Sequence, residues 1–314
     1  LSLFTMNLGY LSIVITLLIW ASFFLSLKGG ANSALTPADI ALTRFLIPAL
    51  VLFPLVWKAR DAIYSVPKRY LAGMFTGSGL PYLLVTGTAM HFVPVSHGSA
   101  LVPGTLPLFV TGIAVLFYKQ PLSRHRVAGL SLVLLGILLF LGSSLSDFNF
   151  EYTKGHLLFL CASLMWATFT ISARVANLNA LVSAGFISLS STLLLLLLIL
   201  TGTLPSHLMV APIAQWPIAE LSIHSAVQGV GAGLIAAFTY LYAVNTLGAE
   251  RSAAFGSATP AIATLLAIPL FNEVPDTVTW IALGSICIGS LVASNIFMKD
   301  DQSMQYRPPN HKRA

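Results

Sequence analysis

A small set of side chains in the apolar stretches of this chain carries groups suited to holding a small molecule: Trp20, Tyr82, Thr105, Trp166, Phe238, Tyr240 and Asn245. The aromatic rings supply apolar area and stacking, and a buried indole or phenol also needs a partner for its polar atom. Thr105 and Asn245 can orient polar groups, and Tyr242 adds another near Tyr240. Trp20 and Trp166 stand near the middle of their stretches, where lining a cavity and packing on a backbone carbonyl are equally open readings. Pro107 and Pro260 are expected to interrupt helical hydrogen bonding, either to shape a site or as plain kinks. At membrane depth, freed carbonyls are tolerated only inside protein or beside a wet cavity. His91 and Arg44 are the candidates for coupling. Histidine titrates near neutral pH, though His91 and His97 flank an expected loop where solvation is the default. Arg44 has Asp39 one turn away, which favours an interfacial role over anion binding. Glu250, Arg251 and Glu273 fall at segment ends, where solvated or capping roles are the default.

Catalytic constellations are lacking. There is no HExxH, no pair of mid-segment aspartates and no GxxxxGK[ST] loop, and Gly77-Ser78-Gly79 lacks the glycine that would precede a nucleophilic serine motif. Cys161 and Cys287 both lie in apolar stretches and form no CxxC or disulfide pattern. No metal or cofactor is expected.

The elements that must position these residues are membrane spans. Of 314 residues, 56% are hydrophobic and 8% are charged, whereas soluble domains average about 25% charged. At about 20 residues per span the chain divides into ten, at 9–27, 38–57, 70–90, 96–118, 126–145, 155–174, 180–202, 225–247, 252–271 and 277–298. The longest connection, 203–224, contains Pro205, Pro212, Trp216 and Glu220, and the polar tail from Lys299 contains Pro308-Pro309. Met6 is a candidate native start, which makes residues 1–5 upstream sequence.

Charge tests the count. With the N-terminus inside, the inner side takes Lys58, Arg60, Lys68, Arg69, Lys119, Arg124, Arg126, Arg174, Arg251, Lys299, Arg307, Lys312 and Arg313. The outer side takes only Lys28, Arg44 and Lys154. That bias is the positive-inside pattern, and one miscounted span would scramble it. The net charge of +6 is therefore topological, and no nucleic-acid partner is expected. Trp57 beside Lys58 and Tyr118 beside Lys119 read as interfacial anchors.

The halves repeat. Trp20-Ala21-Ser22-Phe23 returns as Trp166-Ala167-Thr168-Phe169. Gly73-x-x-x-Gly77 returns as Gly229-x-x-x-Gly233, Tyr82 as Phe238, Pro107 as Pro260 and Gly136 as Gly289. A lone GxxxG is ordinarily tight packing; its recurrence points to a shared structural role. Five spans per half is odd, so the second half inserts upside down, an arrangement found in secondary transporters.

Ile19-Trp20-Ala21-Ser22 and Met165-Trp166-Ala167-Thr168, Arg44-Phe45 early in the second span, and Ser257-Ala258-Thr259-Pro260 through Leu270-Phe271-Asn272-Glu273 resemble the EamA-type branch of the drug/metabolite transporter superfamily over about residues 9–298. Gln120 stands where the family pattern often has Glu, and the seventh span lacks an arginine like Arg44. The resemblance implies an all-α membrane protein of ten transmembrane helices in two inverted five-helix repeats. It also implies a central cavity bounded mainly by spans 1–4 and 6–9, and export of amino acids or related compounds from a bacterial cytoplasm.

The organisation expected is an N-terminal segment 1–8, a first repeat 9–150, a second repeat 151–298 and a cytoplasmic tail 299–314, multi-pass in a bacterial inner membrane with both termini inside. The partners are the bilayer and a small-molecule substrate. Few mid-span charges favour a zwitterion or a neutral amphiphile. The alternatives are a carrier of a nucleotide sugar, sugar phosphate or lipophilic drug, and a non-transporting membrane receptor. An intramembrane enzyme is disfavoured.

Overall fold

The computed structural model describes residues 3–247 and 249–294. The expectations for the tail, including Lys299, Arg307, Lys312 and Arg313, lie outside the described residues, as do the side chains of Glu250 and Arg251. The described chain is helical throughout, with no strand among the described residues. In order it runs α1 (Leu3–Ala31), α2 (Pro37–Lys58), α3 (Arg60–Ser65), α4 (Lys68–Ser78), α5 (Leu80–Ala89), α6 (Val95–Leu101), α7 (Leu106–Tyr118), α8 (Arg124–Ser146), α9 (Phe150–Ala176) and α10 (Ala180–Leu200). The short α11 (His207–Val210) and a 3-10 turn (Ile213–Gln215) follow. Next come α12 (Ile218–His224), a π-helical stretch (Ser225–Ile235), α13 (Ala236–Leu247), α14 (Ala249–Gly256), α15 (Thr259–Phe271) and α16 (Thr277–Ala293).

Among the described residues, eight segments are long and apolar enough to cross a bilayer: Met6–Ala31, Pro37–Lys58, Val95–Tyr118, Arg124–Ser146, Phe150–Ala176, Ala180–Leu200, Ile218–Leu247 and Ala254–Phe271. Thr277–Ala293 is apolar but shorter. The expected span 70–90 is not one helix. It breaks at Gly79, whose ψ of −150° is extended, and Pro81 in the first turn of α5 has no N–H to carry the ladder across. Ser191 of α10 accepts a hydrogen bond from Leu80 N–H at 3.0 Å, so the break is satisfied from within the protein.

Helix ends follow local chemistry. Thr36 and Asp39 form a capping box at the start of α2, with Pro37 at the first helical position. Asp39 is fully buried and also accepts from Ser206 Oγ and His207 N–H, so it ties the 203–217 connection to α2. It caps its own helix and forms no ion pair with Arg44. Ser123, Asn149, Asn179 and Asp276 cap α8, α9, α10 and α16. Trp57 and Tyr118 are exposed at the basic ends of α2 and α7, and the Arg60 guanidinium lies 5.3 Å from the Trp57 ring.

Pro107 and Pro260 do not interrupt helices from inside. Each stands in the first turn of its helix, α7 or α15, where a missing N–H costs nothing. The interruptions lie just ahead of them, at 102–105 and 257–258. In the first, Thr105 Oγ1 donates to Leu101 O at 2.6 Å and Ser163 Oγ of α9 donates to Val102 O at 2.9 Å. The prolines within helices are Pro48 and Pro54 of α2 and Pro269 of α15.

The two halves correspond in detail here. α7 and α15 match residue for residue at one offset. Both end on a left-handed residue, Lys119 with φ 50° and Asn272 with φ 56°, and the caps that follow, Ser123 and Asp276, keep the register. α8 and α16 pack against each other antiparallel through glycine. A Cβ on Gly129 would stand 2.6 Å from Ala293 N and 2.7 Å from Gly289 O, and one on Gly136 would stand 2.8 Å from Ala282 O. Under the repeat Gly129 corresponds to Ala282 and Gly136 to Gly289, so each contact is the image of the other.

The GxxxG pairs do not share a partner. Gly73 and Gly77 admit Ser172, Met165 and Phe169 of α9, whereas Gly229 and Gly233 admit Thr43, Pro48 and Arg44 of α2. The counterpart of α9 is α1, not α2. The π-helical winding of Ser225–Ile235 changes the direction in which successive side chains leave the helix, which presents these glycines to α2 while Gly231 faces Ile19 of α1.

Candidate functional site

A cavity of about 110 Å3 lies where α1, α2, the α4–α5 break, the α6–α7 break, α9, the π-helical stretch and the start of α15 converge. Trp20, Phe23 and Phe24 of α1, Tyr82 and Leu83 of α5 and Trp166 of α9 supply most of its surface, with Val102, Pro103, Leu106 and Ala232. Arg44, Ser78 and Thr259 complete the wall. The three broken spans therefore all open onto it, as irregular backbone at membrane depth requires.

The rings form two groups, one around Tyr82 and Trp166 and one of Trp20 with Tyr240. Tyr82 lies 5.1 Å from Trp166 and stacks 6.5 Å from Phe23. Trp20 lies 5.1 Å from Tyr240, and Trp166 meets Phe169 edge-on at 5.1 Å. Neither the Trp20 nor the Trp166 indole N–H donates to an acceptor among the described residues. The hydroxyls of Ser78 and Tyr82 are likewise unengaged, and so is the Arg44 guanidinium. The Arg44 guanidinium makes no hydrogen bond or ion pair among the described residues and lies 5.4 Å from the Phe45 ring.

Of the residues singled out from sequence, Trp20, Tyr82, Trp166 and Arg44 come together at this cavity. Tyr240 stands behind Trp20 without lining the cavity. Thr105 is fully buried beside it, but its hydroxyl is engaged with Leu101 O and, at 2.8 Å, with Ser163 Oγ. Phe238 is 60% exposed on the outer face of α13, and Asn245 is also exposed, so neither reaches the cavity. His91 is exposed, with its ring nitrogen 2.9 Å from Gly87 O. Arg44 is at the cavity wall.

Sequence reasoning passed over Phe23, although it closes the Trp20 word, and Thr259, although it precedes Pro260. It also missed a second, polar cavity of about 360 Å3 among α6, α8, α9 and α16. There His97 Nδ1 lies 2.8 Å from His156 Nε2, and His97 Nε2 lies 3.2 Å from Thr279 Oγ1. Both histidines are buried, so His97 is not a loop residue in solvent. Asp147, Glu273 and Asp276 rim this cavity. The Thr279 hydroxyl and N–H hold the Asp276 carboxyl below the usual carboxylate range, the N–H at 2.7 Å. No group of three or more metal-ligating side chains is assembled among the described residues.

The comparisons agree with this architecture. The family described as the EamA-like transporter family matches residues 7–142 and 153–295, one block for each half. The chain is 26% identical to the uncharacterized transporter YdfC of Bacillus subtilis (strain 168) over 86% of each chain. It is 27% identical to the uncharacterized transporter YoaV of the same organism over 52% of this chain, a match that spans 56% of that relative's length. A solved crystal structure at 22% identity has a TM-score of 0.60 over 91% of this chain and 96% of the other, and so shares its fold. With apolar helices built to cross a bilayer and a family match running through both halves, the chain is a multi-pass membrane protein of the EamA-like transporter family.

Proposed function

We propose that the protein is a secondary transporter of small metabolites, with amino acids or related compounds as its substrates and export from a bacterial cytoplasm as its direction. The carrying observation is the cavity in which Trp20 of one half faces a common space with Trp166 of the other. A site shared between two similar halves can be opened to either side in turn as the halves exchange packing around it.

Ten spans fit this reading when α4 and α5 together count as one and Thr277–Ala293 as another. The mutual contacts of Gly129 with Gly289 and of Gly136 with Ala282 support an inverted repeat, because a pseudo-two-fold axis makes a contact its own image. Arg60, Lys68, Lys119 and Arg124 gather at helix ends on one side, which supports a cytoplasmic placement of that side. Nucleotide sugars and sugar phosphates carry at least two negative charges, and Arg44 alone among the cavity's wall residues is cationic.

Reconstitution into vesicles tests the function. Vesicles preloaded with unlabelled substrate should accumulate external labelled substrate against its gradient, and Trp166→Ala should abolish that exchange. Binding without any exchange, across amino acids, nucleosides, sugars and lipophilic cations, would identify a receptor instead.

A further inference from the structure

We propose that the central cavity selects a monocarboxylate with an apolar or aromatic body and no cationic amine, its carboxylate held by Arg44 and Thr259. This rests on the reading of the cavity as the substrate site, and within amino acids and related compounds it narrows the substrate to related acids that lack the amine.

Thr259 carries the first observation. It lines the cavity, is 0% exposed, and its hydroxyl has no hydrogen-bond partner among the described residues. Most other buried threonines bond back to the preceding turn, as Thr264 does to Pro260 O at 2.7 Å in the same helix; Thr192 of α10 shares the lack of a partner but lies away from the cavity. Thr259 is the first residue of α15, just past the break, and makes no such back-bond. A buried hydroxyl without a partner is costly, so a ligand acceptor is the natural match.

Arg44 carries the second. Its guanidinium makes no ion pair or hydrogen bond among the described residues, yet room has been made for it. A Cβ on Gly233 would meet Pro48 Cγ and stand 2.8 Å from Arg44 Nη1, so the missing side chain there leaves space for both. A charge in this setting calls for a counter-charge. Guanidinium geometry suits a carboxylate, which it can bind with two parallel hydrogen bonds.

The wall chemistry sets the rest. No carboxylate lines the cavity among the described residues. Its polar atoms are a guanidinium, indole N–H groups and hydroxyls. A monoanion neutralises Arg44 and leaves no surplus charge. The ammonium of an amino acid would sit near Arg44 without an acidic partner, and a phosphate dianion would leave net negative charge in an apolar site.

The test is binding to the purified full-length protein, by calorimetry and thermal shift, of four matched probes: 3-phenylpropionate, 3-phenylpropionamide, L-phenylalanine and 2-phenylethylamine. The acid should bind at least about tenfold tighter than the other three, the scale of one charge-assisted interaction. Arg44→Gln should erase the preference for acid over amide. Thr259→Val should weaken the acid several-fold while leaving the melting temperature of the ligand-free protein within a degree or two. Equal or tighter binding of phenylalanine or of the amide overturns the proposal, as does an unchanged acid preference in Thr259→Val together with Arg44→Gln. Absence of binding by all four also overturns it. In that case exchange of another compound class in vesicles would leave the transporter reading standing, so the two failures are distinguishable.

Discussion

Lys28 Nζ at the end of α1 lies 3.2 Å from Glu273 Oε1 between α15 and α16, and joins the two halves of the molecule on the side away from the basic helix ends. Both side chains are largely buried, at 14% and 16% exposure. Lys28 also donates to Val93 O at 3.0 Å, and Glu273 Oε2 accepts from Val95 N–H at 2.7 Å. Glu273 is therefore not a solvated residue at a helix end but a clasp across the repeat. Removing either charge should destabilise the protein by about 1–3 kcal/mol, between the values for exposed and buried pairs. Exchanging the charges, Lys28→Glu with Glu273→Lys, should not restore stability, because a lysine at 273 cannot accept from Val95 N–H. Melting temperatures of the single and double variants in one detergent check this; full recovery in the exchange would show that Coulomb attraction alone matters there.

The α8–α16 contact predicts a contrast within two helices. Gly129→Ala and Gly289→Ala put a methyl group against backbone atoms of the facing helix at 2.5–2.7 Å, so the helices must separate. Each should lower the melting temperature by several degrees. Gly142→Ala and Gly284→Ala meet nothing within 4 Å and should be neutral or slightly stabilising, since alanine exceeds glycine in helix propensity by about 1 kcal/mol. Thermal unfolding of the four variants decides it, and equal losses at all four sites would rule out the packing argument.

Thr105 separates a structural role from a binding role. Its hydroxyl joins Ser163 in satisfying the carbonyls left open by the α6–α7 break. Thr105→Val should cost about 1–2 kcal/mol of stability and leave ligand affinity within a few-fold of the parent. A large loss of affinity at unchanged stability would instead place Thr105 in contact with the ligand.

Asp276 gives a pH-dependent prediction. Its carboxylate caps α16 and is held below its ordinary range by Thr279. A depressed carboxylate stabilises the fold above its unfolded value, and the contribution is lost as pH falls through the folded one. Asp276→Ala should lower stability by about 1 kcal/mol at neutral pH, with the difference from the parent shrinking in acid. Asp276→Asn, which keeps a capping oxygen, should lose less. Melting curves from neutral to acid pH measure both differences.

A good part of this molecule was legible in one dimension. Apolar runs marked most of the helices because a bilayer demands them. The tryptophan words and Pro107 with Pro260 marked corresponding places in two halves. Trp20, Tyr82, Trp166 and Arg44 were legible as site candidates because each puts a polar atom in an apolar run. Which way each residue faces was not legible. A soluble helix shows its buried side by its apolar stripe, but a membrane helix is apolar all round and its rotation leaves no trace in the pattern. Phe238 and Tyr82 correspond in sequence, yet one is exposed and the other walls the cavity. His97 and His156 meet only because α6 packs on α9, and Lys28 finds Glu273 only because the halves close on each other. Sequence by itself determined the solvent, most of the helices and the doubling. Tertiary packing alone decided which faces turn inward, because that choice depends on contacts between residues far apart in the chain.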